Sequence, residues 1–224
     1  GQVRVLKRTP DGRRLVEVAR LGDGALFGEF ALLADRKRHA SVEALTDVEL
    51  FEIPRRLLDE IAVDHPGVGG ALERFFRERL LSSLVATAPF FRALPAEQRP
   101  ALAQLFHTRH VEAGEVIIQE GESGGGLFLV VLGGVQIMKQ SPAGPVPLAQ
   151  LGEGAYFGEM SLLRGGVASA TVVASDSTEL AELPPRDFYQ VVAAHPTLWE
   201  EIRREAARRE LATHQILAGE SNVV

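Results

Sequence analysis

Apolar residues alternate with polar ones at Val3 and Val5 and run through Leu15 to Leu21, on either side of Thr9-Pro-Asp-Gly12, which has the composition of a tight turn. A two-stranded ribbon is expected there. The same pattern returns at Val135-Gln-Ile-Met-Lys139 and over residues 146–151, around Ser141-Pro-Ala-Gly144. Residues 47–53 (Asp-Val-Glu-Leu-Phe-Glu-Ile) and 178–183 (Thr-Glu-Leu-Ala-Glu-Leu) read as strands that close each sheet, each followed by a proline. The wholly apolar run from Leu127 to Leu132 reads as a buried strand, with further strands around Val111 and Ile117.

Helical periodicity follows each sheet. Pro54-Arg-Arg-Leu-Leu-Asp-Glu-Ile61 precedes a break at His65-Pro66, and a second helix over 71–81 places Leu72, Phe75, Phe76 and Leu80 on one face. Phe75, Phe76 and Leu80 are therefore expected in a core or on a dimer face. The last helix, residues 197–216, sets Glu201 before Arg204 and Glu205 before Arg208 and Arg209, pairings that support an exposed helix. Residues 88–106 form a helical entry segment with Pro95 suited to a first turn. Continuous helix from one domain into the next is expected to define their orientation.

The chain repeats itself. Residues 21–66 align without a gap to residues 151–196: Leu21-Gly-Asp-Gly-Ala-Leu-Phe-Gly-Glu-Phe-Ala-Leu-Leu33 answers Leu151-Gly-Glu-Gly-Ala-Tyr-Phe-Gly-Glu-Met-Ser-Leu-Leu163. The register holds to His65-Pro66 and His195-Pro196. Two domains are expected, residues 1–87 and 88–224. Because Gly1 to Lys7 correspond to Gly133 to Lys139, the strands that open the second copy have no counterpart in the first, which is expected to be N-terminally truncated.

A composition of 46% hydrophobic and 24% charged residues is that of an ordinary globular protein. No apolar run approaches the roughly 18 residues of a membrane span. The net charge of −6 argues against direct nucleic-acid binding, which needs clustered cations on the phosphates. The absence of cysteine excludes disulfides and thiol catalysis, and it fits a cytoplasmic location.

The chemistry concentrates in Phe27-Gly-Glu-Phe-Ala-Leu-Leu-Ala-Asp-Arg-Lys-Arg-His-Ala-Ser-Val42. Gly28 lets backbone approach a ligand closely. Glu29 supplies an acceptor for a sugar hydroxyl. The turn into Phe30-Ala-Leu-Leu33 offers free amides to an anion, and Arg38 can fork onto a phosphate. This stretch resembles the phosphate-binding cassette of the cyclic nucleotide-binding domain shared by protein kinase A regulatory subunits, cyclic-nucleotide-gated channels and the catabolite activator protein. The family pattern falls on Gly28, Glu29, Phe30, Ala31, Leu32, Arg38, His39, Ala40 and Ser41.

The resemblance implies a mainly β fold with flanking helices, an eight-stranded jelly-roll-like β-roll. It implies cAMP or cGMP as ligand, with no other cofactor. It also implies roles: Glu29 for the ribose 2′-hydroxyl, Arg38 for the cyclic phosphate, the amides of Ala31 and Leu32 for the same phosphate, and the C-terminal helix as a lid over the base. Ser82 and Ser83 fall near the place of base contact on that helix. His39 supports neither base, and it reads as a pocket-rim residue before a pH sensor.

In the second copy the corresponding residues are Gly158, Glu159, Ser161, Leu162, Ala168, Ser169 and Thr171. Alanine stands at 168 where the first copy has Arg38. A charged hydrogen bond contributes about 1.5–3 kcal/mol, so this pocket is expected to lose cyclic nucleotide affinity by one to several orders of magnitude. Arg164 is a candidate surrogate, weighed against a solvated loop residue.

Other constellations are weaker. His107-Thr-Arg-His110 has a spacing compatible with one helical face, but without carboxylate or thiolate partners it reads as surface at a helix end. No nucleophile and base are arranged for catalysis. The expectation is a non-catalytic sensor whose closing helix, about residues 68–87, moves on binding. A ligand-free structural or dimerisation module is the alternative, and a homodimer through C-terminal helices and an effector of unknown kind are the partners expected. A transcription factor is disfavoured, since residues 211–224 are too few for a helix-turn-helix domain.

Overall fold

The computed structural model describes residues 1–8, 15–28, 40–65, 67, 70–71, 88–95, 97–142 and 144–219. Two compact units divide the chain, Gly1–Leu80 and Leu81–Val224.

In the first unit, β1 (Val3–Arg8) lies between β2 (Leu15–Leu21) and β3 (Ser41–Ala44) in an antiparallel sheet of order β2-β1-β3. Val3 is buried, opposite Leu21 on one side and Ala44 on the other. The expected ribbon therefore forms, with a bulge between Val5 and Leu6. The strand expected at 47–53 does not: these residues join no ladder. In the second unit the corresponding strand is held by two neighbours, and the described residues of the first unit contain no counterpart of either. An unpaired strand leaves its backbone to water and its side chains uncovered, and Leu50, Phe51 and Ile53 are exposed. Helix α1 (Arg55–Asp64) starts after an extended Pro54 and ends at His65, whose N–H donates to Ile61 O at 2.8 Å. The turn at 9–12, the helix expected over 71–81 with Phe75, Phe76 and Leu80, and most of the expected closing helix fall outside the described residues.

The second unit is entered through α2 (Pro89–Arg92) and α3 (Arg99–Ala103). Ala88 is extended, so continuous helix does not run into α2. Pro95 lies between the two helices, and the proline inside a first turn of α3 is Pro100. Phe90, Phe91 and Phe106 pack together, and Phe90 meets the ring of Tyr156 at 5.4 Å.

Eight strands follow: β4 (His107–Val111), β5 (Val116–Ile118), β6 (Leu127–Leu132), β7 (Gly134–Ser141), β8 (Gly144–Gly152), β9 (Tyr156–Phe157), β10 (Thr171–Ala174) and β11 (Thr178–Leu183). They form two four-stranded sheets of order β5-β10-β7-β8 and β4-β11-β6-β9, and every pairing is antiparallel. All six residues of β6 are buried, as an uninterrupted apolar run requires. Val111, Phe128, Val130, Val135, Phe157, Val172 and Leu180 share one core, with Ala168 among them. β11 lies between β4 and β6, as its sequence predicts for a closing strand.

Residues 107–110 are strand, not a helix end. Successive side chains of a strand alternate between faces, which separates His107 from His110, and His110 has carboxylates beside it after all. Its Nδ1 is 2.8 Å from Glu179 Oε1, and its Nε2 is 3.2 Å from Glu112 Oε1.

Helix α4 (Glu159–Leu163) leads out of β9, and α5 (Pro185–Ala194) and α6 (Pro196–Leu217) close the unit. His195 ends α5 and begins α6, so His195-Pro196 marks the helix break that the sequence predicts. Leu198, Ile202 and Ala206 bury one stripe of α6. Among the described residues no helix is long and apolar enough to cross a membrane.

Candidate functional site

Of the first cassette, Gly28, Ala40 and Ser41 are described, while Glu29, Phe30, Ala31, Leu32, Arg38 and His39 lie outside the described residues, as do Ser82 and Ser83. Gly28 has a φ of +85°, and Ser41 opens β3 opposite Leu6. The left-handed backbone at Gly28 is matched in the second copy, where φ at Gly158 is +90°. There the need for glycine is steric as well: a Cβ on Gly158 would stand 2.3 Å from Gly126 O.

That turn delivers Glu159 into the interior. The residue is 1% exposed, at the start of α4. Ser161 donates from Oγ to Gly158 O at 2.8 Å and so fastens the turn from behind. Leu162 is buried, and its carbonyl accepts the Tyr189 hydroxyl at 2.7 Å. Thr171 accepts the N–H of Glu120 at 3.1 Å on its Oγ1, and Ser169 gives its carbonyl to Lys139 Nζ at 2.6 Å. Lys139 also meets Glu120 at 2.6 Å.

Around Glu159 lies a cavity of about 280 Å³. Its walls include Ile118, Ile137, Leu151, Phe157 and Val172 from the sheets and Ala168 from the loop before β10, with Arg208, Arg209 and Thr213 of α6 on the remaining side. Ala168 is built into the apolar wall. Its N–H donates to Glu122 O at 2.9 Å, and its carbonyl accepts the Gly121 N–H at 2.9 Å. The structure thus brings Gly158, Glu159, Ser161, Ala168 and Ser169 together at one cavity, while Leu162 and Thr171 support its frame.

The polar residue that the sequence reading passes over is Arg209. Its Nη1 donates to Glu159 Oε1 at 2.9 Å and to Tyr156 O at 2.8 Å, and its Nε donates to Glu205 Oε1 at 2.9 Å. The guanidinium carbon lies 4.9 Å from the centre of the Tyr156 ring. The expected Glu205 pairings with Arg208 and Arg209 do form, but Arg209 faces inward with its side chain 21% exposed. Residues 202, 206, 209 and 213 recur at intervals of three and four, so Arg209 and Thr213 extend the buried stripe of Ile202 and Ala206. That spacing was the available signal.

Burial pushes the Glu159 carboxyl up, and the Arg209 guanidinium opposes that shift. Burial likewise raises the Tyr156 phenol. Arg208 and Arg209 hold Glu205 below its ordinary range, the hydrogen bonds from Arg208 being the largest cause. Glu159 Oε2 is buried and has no hydrogen-bond partner among the described residues. Arg164 pairs with Glu210 of α6 and is absent from the cavity lining. Its side chain is 44% exposed, in the turn after α4.

The sequence matches the cyclic nucleotide-binding domain family over residues 1–65 and 108–195. It is 30% identical over 162 residues to a cAMP-dependent protein kinase regulatory subunit of Mycosarcoma maydis, covering 72% of this chain and 29% of that subunit. Among solved structures, the catabolite activator protein of Thermus thermophilus is 32% identical, with a TM-score of 0.54 over 60% of this chain and 63% of that one. The regulatory domain of Toxoplasma gondii PKA, crystallised with cAMP, is 25% identical, with a TM-score of 0.55 over 93% of this chain and 76% of that one.

Proposed function

Because the chain belongs to the cyclic nucleotide-binding domain family, we propose that it is a non-catalytic sensing module for cAMP or cGMP whose two sites differ. Residues 1–87 are the later part of a first domain, which binds the nucleotide in the complete protein, and residues 88–224 are a second domain that does not. In this reading Glu29 takes the ribose hydroxyl, Arg38 the cyclic phosphate, and the amides of Ala31 and Leu32 support the same anion, with Ser82 and Ser83 near the base. The output passes to an effector through the closing helix, in a cytoplasmic protein.

The observation that carries the asymmetry is the wall of the second cavity. Ala168 sits where the first copy has arginine, and each nearby described cation already has a carboxylate partner: Lys139 with Glu120, Arg164 with Glu210, Arg208 and Arg209 with Glu205. A cyclic phosphate entering there would have to break an existing pair. Calorimetric titration of the complete protein with cAMP and cGMP is expected to show one saturable site from this pair of domains, abolished by Arg38→Ala. Two equivalent sites, or a site untouched by Arg38→Ala, would refute this reading.

One observation favours a second reading, a structural or dimerising module without ligand. Arg209 docks α6 onto Glu159, so the carboxylate that matches Glu29 already serves the fold of the second unit. Thermal denaturation separates the two, because a ligand that binds only the native state must raise the melting temperature.

A further inference from the structure

We infer that a second cavity of the same unit, between α4 and α6, binds an aryl carboxylate: an aromatic ring on a short apolar arm that ends in a carboxylate. This cavity and the one beside Glu159 share Met160 and no other lining residue.

At about 470 Å³ it falls within the roughly 300–1,000 Å³ of small-molecule sites. Residues 199, 203, 206, 207 and 210 of α6 recur at intervals of three and four, so they share one face of the helix. Met160 and Leu163 of α4 and Arg164 in the turn that follows complete the lining. Ala206 and Ala207 carry only a methyl group each, which leaves room on the α6 side, and Trp199 supplies a flat apolar wall for a ring.

The polar groups of the lining are unequally engaged. Arg164 is closed onto Glu210, the one carboxylate of the cavity wall. Arg203 is not closed in this way: its ion-pair partner Glu200 is 3.6 Å away, too far for a hydrogen bond, and both side chains are exposed. Such a pair contributes little and yields to a better acceptor. One turn from Arg203, the Trp199 ring packs on Phe188 at 6.4 Å, and its indole N–H donates to no described residue. A guanidinium and an indole N–H on one helical face are therefore open to an acceptor.

Charge then selects the acceptor. With Arg164 and Glu210 cancelling, Arg203 gives the lining a single positive charge in excess. A carboxylate matches it in charge and takes two parallel N–H donors from one guanidinium. A phosphate monoester would bring nearly a second negative charge, and no further open cation lines the cavity to meet it.

Trp199 is the single tryptophan of the chain, so its fluorescence reports on this cavity. Phenylbutyrate is titrated into the full chain, and phenylbutanol, the same body without the charge, is titrated alongside. Phenylbutyrate is expected to change Trp199 emission saturably, with phenylbutanol bound at least about tenfold more weakly. Arg203→Ala should weaken phenylbutyrate by about tenfold. Ala207→Leu, which fills the cavity from an exposed helix position, should abolish binding. Arg204→Ala should leave it unchanged, because that guanidinium is held by Glu201 at 2.7 Å and lies outside the lining. Circular dichroism checks that each variant keeps its helices. No saturable change, phenylbutanol bound as tightly as phenylbutyrate, or binding that survives Ala207→Leu overturns the inference. So does a chain that sediments as a dimer with Trp199 shielded from a soluble quencher, since a second copy then occupies the groove.

Discussion

His110 shows how one residue's surroundings set its titration. Partial burial alone would lower its pKa, but the hydrogen bonds to Glu179 from β11 and to Glu112 outweigh that and raise it above the usual histidine value. The nearby Arg109 is engaged by Glu115 at 2.9 Å. Since the folded state binds the proton more tightly, the stability that His110 contributes is full below the unfolded pKa, near 6.5, and is lost as pH rises through the raised folded value. The group is partly exposed, so a contribution of only about 0.2–1 kcal/mol is expected. Urea denaturation of the protein and of His110→Gln should give a gap that is largest near pH 6 and shrinks toward pH 9. A gap that widened with pH would contradict the raised pKa. Glu112 stands two residues from His110 in the sequence, but Glu179 arrives through strand pairing from a distant part of the chain, which the spacing of His107 and His110 does not show.

Helix α6 is fixed to the sheets by two kinds of contact along one stripe. Leu198, Ile202 and Ala206 bury apolar surface, and one turn further Arg209 reaches Glu159 and the Tyr156 carbonyl. Removing one partner of a fully buried ion pair costs about 3–5 kcal/mol. Because Arg209 keeps 21% of its side chain accessible, solvent screens the pair and about 2–3 kcal/mol is the better expectation for Arg209→Met. Glu159→Gln combined with Arg209→Met should recover most of that loss, since no unpaired charge then stays buried. The single variant should also be least stable at alkaline pH: Glu159 already has a raised pKa, and without its cation the folded state would hold the proton more strongly still, so stability falls as pH rises. Denaturation curves for the two variants at pH 5 and pH 8 check both statements. Equal losses at both pH values would show that Arg209 acts through packing alone. The helix, its start at His195-Pro196 and its surface pairs are legible in the sequence because these features are local. The inward turn of Arg209 depends on Glu159, 50 residues away, and shows only in the three-and-four spacing of residues 202, 206, 209 and 213.

At the scale of the molecule, the two copies allow a comparison within one chain, since near-identical segments meet different surroundings. The ribbon β1–β2 and the hairpin β7–β8 form in both because each carries its partner a few residues away. The closing segments differ. Residues 178–183 are strand between β4 and β6, with Leu180, Ala181 and Leu183 fully buried, whereas residues 47–53 lack a ladder and expose Leu50, Phe51 and Ile53. Apolar alternation therefore announces a strand in both places, yet it becomes one only where two neighbours supply hydrogen bonds, a requirement that a local pattern does not contain. Amide hydrogen exchange on the 224-residue chain reads this directly. The amides of residues 178–183 should be among the slowest, opening only with the unit as a whole, while those of residues 47–53 should exchange close to the rate of an unstructured peptide. If a longer form of the protein supplied neighbouring strands, protection at 47–53 should rise toward that of 178–183. Strong protection of 47–53 in this chain would mean that those amides find other acceptors, and the exposed Leu50, Phe51 and Ile53 would then need a different explanation.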